Sequence, residues 1–331
     1  MRWVSTVTAA AIGAGALAGP VAAATPSAAA GQKAAAPGPA VQCTSTDTAL
    51  ADTLSRHISK ALAGRKSMAS LSFYDRPSGT RCTLDASKQY DSASAVKAVI
   101  LGALLHQKGG TLTAKEDALA RKMITESDND STTTLWKELS DLQDPKKPNP
   151  VRIQEFLDKA GMGNTVLDKE GSWGLTQVTA GDLAKLLRIF SGSDDSVLGG
   201  KARTYALDLM HHVRSTQSWG ATAGAPLDSL IHVKNGWLQR SRNPDVDAFD
   251  RGDWKVNSLA ALTGKAYNSG LVVLTENNRV PEGRPAEEGW NYGIDTIEAV
   301  SRAIYRDVYP GAEPNDPGRP APPAAGQPAA G

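Results

Sequence analysis

Apolar residues recur at helical spacing over some stretches of the chain and at strand spacing over others, and the two kinds come in blocks. Leu50, Leu54, Ile58 and Leu62 stand four apart and are followed by Gly64, which predicts an amphipathic helix over 47–63 with a glycine at its end. Met68 to Tyr74 reads as a strand, Asp75-Arg76-Pro77-Ser78-Gly79 as a turn, and Thr80 to Leu84 as the return strand. Ser94-Ala95-Val96-Lys97 then runs directly into the apolar helix Ala98-Val99-Ile100-Leu101-Gly102-Ala103-Leu104-Leu105. Thr113 and Glu116 have capping-box spacing for a helix through about Thr125, and further helices are expected at about 132–139 and 151–160. Thr179 to Asp182 has cap spacing again, ahead of Leu183, Leu186, Leu187 and Phe190 on one helical face. The last third changes character. Ser229 to Val233, Trp254 to Leu262 and Gly270 to Glu276 read as strands, and Tyr292 to Val308 as a helix carrying Ile294, Ile297 and Ile304. Two strands early, three late and helices between predict an α/β chain of the α+β type: one antiparallel sheet covered by the terminal helices, with an inserted all-helical lobe.

The ends of the chain have a different texture. Residues 1–24 open with Arg2, continue through small apolar residues and reach Ala22-Ala23-Ala24, the pattern of a secretory signal peptide rather than of a membrane span. Residues 25–41 form an Ala/Pro-rich spacer and 310–331 a Pro/Ala/Gly-rich tail, which leaves one domain over 42–309. The 36 basic residues against 35 acidic ones leave no electrostatic footprint for nucleic acid or an anionic membrane. Export places Cys43 and Cys82 in an oxidising compartment, where they are expected to form a disulfide that stabilises the fold by about 3 to 4 kcal/mol. With no third cysteine and five scattered histidines, no metal site and no cofactor are expected.

Three short motifs carry candidate chemistry. In Ser94-x-x-Lys97 a hydroxyl and an amine lie on one helix face, one turn apart, and an amine desolvated against an apolar helix has its pKa lowered toward a value useful for proton abstraction. Ser127-Asp128-Asn129 follows the third expected helix, and Lys234-Asn235-Gly236 closes a strand. In this order, and with this surrounding pattern, the three resemble the motifs of the penicillin-recognising serine hydrolases, the class A β-lactamases and D,D-peptidases. The resemblance covers residues 43 to 309. It implies a β-lactamase/transpeptidase-like fold, with Ser94 as acylated nucleophile, Lys97 as base or relay, and Ser127 passing a proton to the leaving amine. Lys234 would hold the Ser127 hydroxyl and offer positive charge, Asn129 would bind the substrate amide and Lys97, and the amides of Ser94 and Trp237 would bind the oxyanion.

The departures matter as much. Asn235 stands where the family usually has Thr, losing a hydroxyl, and Trp237 stands where a small residue is usual, putting a large ring beside the expected oxyanion site. Asn235, Gly236 and Trp237 are expected at the substrate, with Trp237 either stacking on it or packing as a rim aromatic on the sheet. Leu167-Asp168-Lys169-Glu170 resembles the start of an omega loop but runs straight into Gly171-Ser172-Trp173, so most of that loop is absent. Glu170 is the candidate deacylation base, set against its reading as a surface carboxylate. The expected protein is an exported, monomeric serine hydrolase that acts on a β-lactam or other cyclic amide. The alternatives are a D,D-peptidase-like or other amide or ester hydrolase, and a non-catalytic binder or sensor of cell-wall fragments.

Overall fold

A computed structural model describes residues 40–141, 149–240, 253–278 and 288–318. The expected signal peptide, most of the spacer, the segment between Arg240 and Asp253 and the end of the tail lie outside these residues.

The strands in chain order are β1 (Gln42–Thr44), β2 (Met68–Asp75), β3 (Thr80–Leu84), β4 (Gln89–Asp91), β5 (Gln177–Thr179), β6 (Leu230–Gln239), β7 (Trp254–Thr263) and β8 (Asn268–Glu276). Six pair antiparallel in the order β1-β3-β2-β8-β7-β6, and β4 and β5 form a separate antiparallel ribbon. The sheet thus has three early strands rather than two. Cys43 of β1 lies directly opposite Cys82 of β3 in the register, and the two are bonded.

The helices are α1 (Thr48–Leu62), α2 (Val96–Gln107), α3 (Ala114–Arg121), α4 (Asn129–Glu138), α5 (Val151–Lys159), α6 (Ala180–Phe190), α7 (Gly200–His211) and α8 (Glu288–Val308). Their starts follow local capping chemistry. Asp47 accepts the Ala49 and Leu50 amides ahead of α1, Thr113 and Glu116 close the expected capping box ahead of α3, and Thr179 accepts the Asp182 amide at α6. α4 begins three residues earlier than its apolar spacing suggests, because Asp128 caps it by accepting the Ser131 amide. α7 carries no clear apolar stripe and was not anticipated.

Two apolar cores divide at the sheet. On one face, α2 is buried along its whole length from Val96 to Leu105 and is packed around by the lobe helices, which is why it is apolar on every side. At Gly102 a β-carbon would come within 2.5 Å of the Phe156 ring, so this glycine lets α5 approach α2 closely. On the other face, α1 and α8 cover the sheet with Leu54, Ile58, Trp290, Ile294 and Ile297. Residues 310–318, expected to be tail, still bond to the fold. Asn315 exchanges backbone hydrogen bonds with Ala225 and Gly224, and Glu313 accepts the Leu227 amide.

Candidate active site

Ser94 sits in a 3-10 turn, Ala93–Ala95, that leads into α2. The residue before it, Ala93, has φ +47°, a left-handed conformation that an alanine holds only where the surroundings impose it. That turn lies on the sheet at Gly236. A β-carbon there would come within 2.6 Å of the Ser94 amide nitrogen and 2.5 Å of that of Ala95. Only glycine allows strand and turn to meet at this distance.

One turn into the helix, Lys97 is wholly buried. Its Nζ lies 2.6 Å from the Ser127 carbonyl, 3.1 Å from the Ser127 hydroxyl and 2.8 Å from Asn129 Oδ1. The Ser127 hydroxyl reaches that position by an irregular backbone: α3 widens into a π-turn over Lys122–Glu126, and Ser127 follows at φ +56°. From the sheet, Lys234 Nζ donates to the same hydroxyl at 3.0 Å and to its neighbour's carbonyl, that of Asn235, at 2.8 Å. Two amines therefore converge on one hydroxyl, between the sheet and the helical lobe and beside a half-buried Ser94. Among the described residues the Ser94 hydroxyl makes no direct hydrogen bond to Lys97 or Ser127.

Burial lowers the Lys97 pKa to about 6, the Lys234 ammonium pushes the same way, and Asp128 opposes them. Lys234, buried too, is lowered to about 7. A neutral Lys97 has two protons and a lone pair. With the protons on the Ser127 carbonyl and Asn129, the lone pair is left facing the Ser127 hydroxyl.

Strand alternation moves Asn235 from its expected place and selects the packing alternative for Trp237. Lys234 and Gly236 face the lobe, so Asn235 and Trp237 project their side chains to the opposite face. Asn235 Nδ2 donates to the carbonyls of Gln217 and Trp219, both at 2.9 Å. The Trp237 ring packs 5.8 Å from that of Trp219 and 5.9 Å from that of Trp290. Both side chains thus lie on the face of β6 away from the lobe. Glu170 is exposed on the short loop, its amide donating to Asp168 Oδ1. The loop instead brings Trp173 to the site. Its ring lies 5.0 Å from Lys97 Nζ, and its indole nitrogen donates to Thr133. Nothing in the sequence marks which side chain of this loop reaches the lysine. Among the described residues no group of His, Cys, Asp and Glu is arranged to hold a metal ion, and no helix is long and apolar enough to cross a membrane.

A model of the β-lactamase enzyme family matches residues 106–307, more than half of the chain. The matched span includes Ser127 and Lys234 and begins after Lys97. No curated protein sequence matches the chain. Among solved structures, a β-lactamase from Xanthomonas campestris pv. campestris is 17% identical with a TM-score of 0.61, the alignment covering 78% of this chain and 98% of that one. The TLA-3 extended-spectrum β-lactamase is 13% identical with a TM-score of 0.60, covering 78% and 98%. An ancestral class A β-lactamase is 18% identical with a TM-score of 0.58, covering 76% and 98%. At these identities the likeness is one of fold.

Proposed function

The chain belongs to the β-lactamase enzyme family of penicillin-recognising serine hydrolases, and from that premise we propose that it is an exported acyl-transfer enzyme in which Ser94 is acylated by a cyclic amide of the β-lactam class. The observation that carries this reading is the convergence of the Lys97 and Lys234 amines on the Ser127 hydroxyl next to Ser94. Neutral Lys97 accepts the proton that Ser94 gives up on attacking the carbonyl carbon, with the Ser127 hydroxyl as the relay. The same hydroxyl returns that proton to the leaving nitrogen. The Ser94 and Trp237 amides, brought together by the bare Cα of Gly236, bind the oxygen that becomes negative. Export is supported by the N-terminal pattern and by the bonded cysteines.

A second reading concerns the fate of the acyl group. No carboxylate is bonded to Lys97 among the described residues, and Trp173 occupies its flank. Without a placed base for water, hydrolysis of the acyl-enzyme is slow, by about 10²–10⁴-fold, the usual contribution of such a base. This favours a transferase or D,D-peptidase-like acyl-enzyme over rapid β-lactam turnover. Intact-mass measurement after exposure to benzylpenicillin, a chromogenic cephalosporin and p-nitrophenyl acetate tests both readings. The expected result is a long-lived adduct that Ser94→Ala abolishes and whose lifetime Glu170→Gln leaves nearly unchanged. Absence of any adduct refutes acyl transfer and leaves a binder of cell-wall fragments. Rapid turnover that collapses in Glu170→Gln refutes the slow-hydrolysis reading alone.

A further inference from the structure

Asn257, in the middle of β7, lies opposite Gly236 in the strand register and is completely buried. Its carboxamide is fully engaged. Nδ2 donates to the carbonyls of Asp91, at 2.9 Å, and Ser92, at 3.1 Å, while Oδ1 accepts the Thr275 amide at 3.4 Å. The two carbonyls belong to consecutive peptide units that lead into Ala93, the left-handed residue before Ser94. Ser92's carbonyl also accepts the Ala95 amide, at 3.1 Å, which closes the turn around Ser94. From the lobe side, the Ser92 amide is held by the Thr176 carbonyl and its hydroxyl by that of Gly174.

A buried side chain that spends both donors on the backbone just ahead of a strained residue has a specific consequence. Rotation of either peptide unit would strand a donor inside the sheet, so the direction of the chain entering Ala93 is fixed. Ala93 then fixes the Ala93-Ser94 peptide, whose N–H is the proposed oxyanion donor. We propose that Asn257 is a positioning residue for acyl transfer: it clamps the Asp91–Ser92 backbone so that the left-handed turn at Ala93 aims the Ser94 amide into the site. This rests on the acyl-transfer reading above. Asn257 touches no reacting atom and acts through the turn.

The test compares Asn257→Ala, Ala93→Gly and the double variant. The readouts are the rate of benzylpenicillin adduct formation at saturation, the half-saturating concentration, and amide hydrogen exchange over residues 91–95. Asn257→Ala is expected to slow acylation at saturation by about tenfold or more, a part of the about 10²–10³-fold that loss of a whole oxyanion donor costs. The half-saturating concentration should stay within about twofold, because the lost interaction is made in the transition state. Exchange at 91–95 should quicken. Glycine adopts the left-handed conformation without strain, so Ala93→Gly should restore most of the rate in the double variant, which it would not do if Asn257 only filled the core. An unchanged rate, unchanged exchange, or no rescue overturns the proposal. If Asn257→Ala does not fold, Asn257→Leu keeps about the same volume while losing both donors, and the same outcomes apply. If the wild-type chain forms no adduct, the acyl-transfer reading has failed, and exchange at 91–95 decides the clamp by itself.

Discussion

The two buried lysines set a pH dependence that can be worked through. With a pKa of about 6, Lys97 is about nine-tenths neutral at pH 7, whereas at its ordinary value of 10.5 only about one amine in three thousand would be. Burial thus raises the amount of available base by about three thousandfold. Lys234, at about 7, must keep its extra proton to supply positive charge beside Ser127, although the neutral amine would still have two N–H donors for Ser127 and Asn235. The productive form is Lys97 neutral with Lys234 charged, and the pair exchanges its protons as a unit around one hydroxyl. Adduct formation at Ser94, followed by quenched intact mass between pH 4.5 and 9.5, should rise through about 6, fall through about 7 and peak between them. Asp128 is held ionised below the usual carboxylate range, chiefly by its hydrogen bond from Ser131, and it raises the Lys97 value. Asp128→Asn keeps a good N-cap while removing that charge, so the ascending limb should move to lower pH. Lys234→Met should abolish the descending limb and move the ascending one upward, since the like charge that lowers Lys97 is gone. A rate that keeps climbing toward pH 10, or an ascending limb that moves up in Asp128→Asn, would refute the assignment of Lys97 as the base.

Gly236→Ala puts a methyl group within 2.6 Å of the Ser94 amide nitrogen, so strand and turn must separate. The expected loss is about 1–3 kcal/mol of stability and about 10²–10³-fold in acylation, checked by denaturant unfolding and adduct kinetics. Glu116, held down to about 2 chiefly by Lys108 at 2.6 Å, contributes stability that is complete above its ordinary 4.5 and is lost as the pH falls toward 2. Glu116→Gln should cost about 1–2 kcal/mol at neutral pH and flatten thermal stability across that acid window. Reduction of Cys43–Cys82, separated by 39 residues, should cost about 4 kcal/mol in chain entropy, measured as a lower unfolding midpoint in reductant. A midpoint unmoved by reductant would refute the chain-entropy contribution of this bond.

Most of the fold was legible because helix caps and apolar spacing act over three or four residues. The capping box at Thr113, the cap at Thr179 and the stripe through Leu54 and Ile58 work as their spacing implies. The short strands Gln42–Thr44, Gln89–Asp91 and Gln177–Thr179 were not legible, because three residues cannot show a period. β6 runs on to Gln239, well past its expected end at Val233, because it buries polar residues. Lys234 is supported there by Ser127 and Asn235 by Gln217 and Trp219, partners from distant segments.

The sequence by itself determined the residue types of the site and their order: a serine one turn ahead of a lysine on an apolar helix, a second serine, and a lysine two residues before a glycine. Only the tertiary structure decided which groups meet. The two-residue period of β6 sends Lys234 to the site and Asn235 and Trp237 away from it. Trp173, rather than Glu170, reaches Lys97, because the shortened loop folds its indole against Thr133. Asn257 meets Asp91 and Ser92 across more than 160 positions of chain. Such contacts leave no local pattern, since the hydrogen bonds that fix them are closed by the sheet and not by neighbours in sequence.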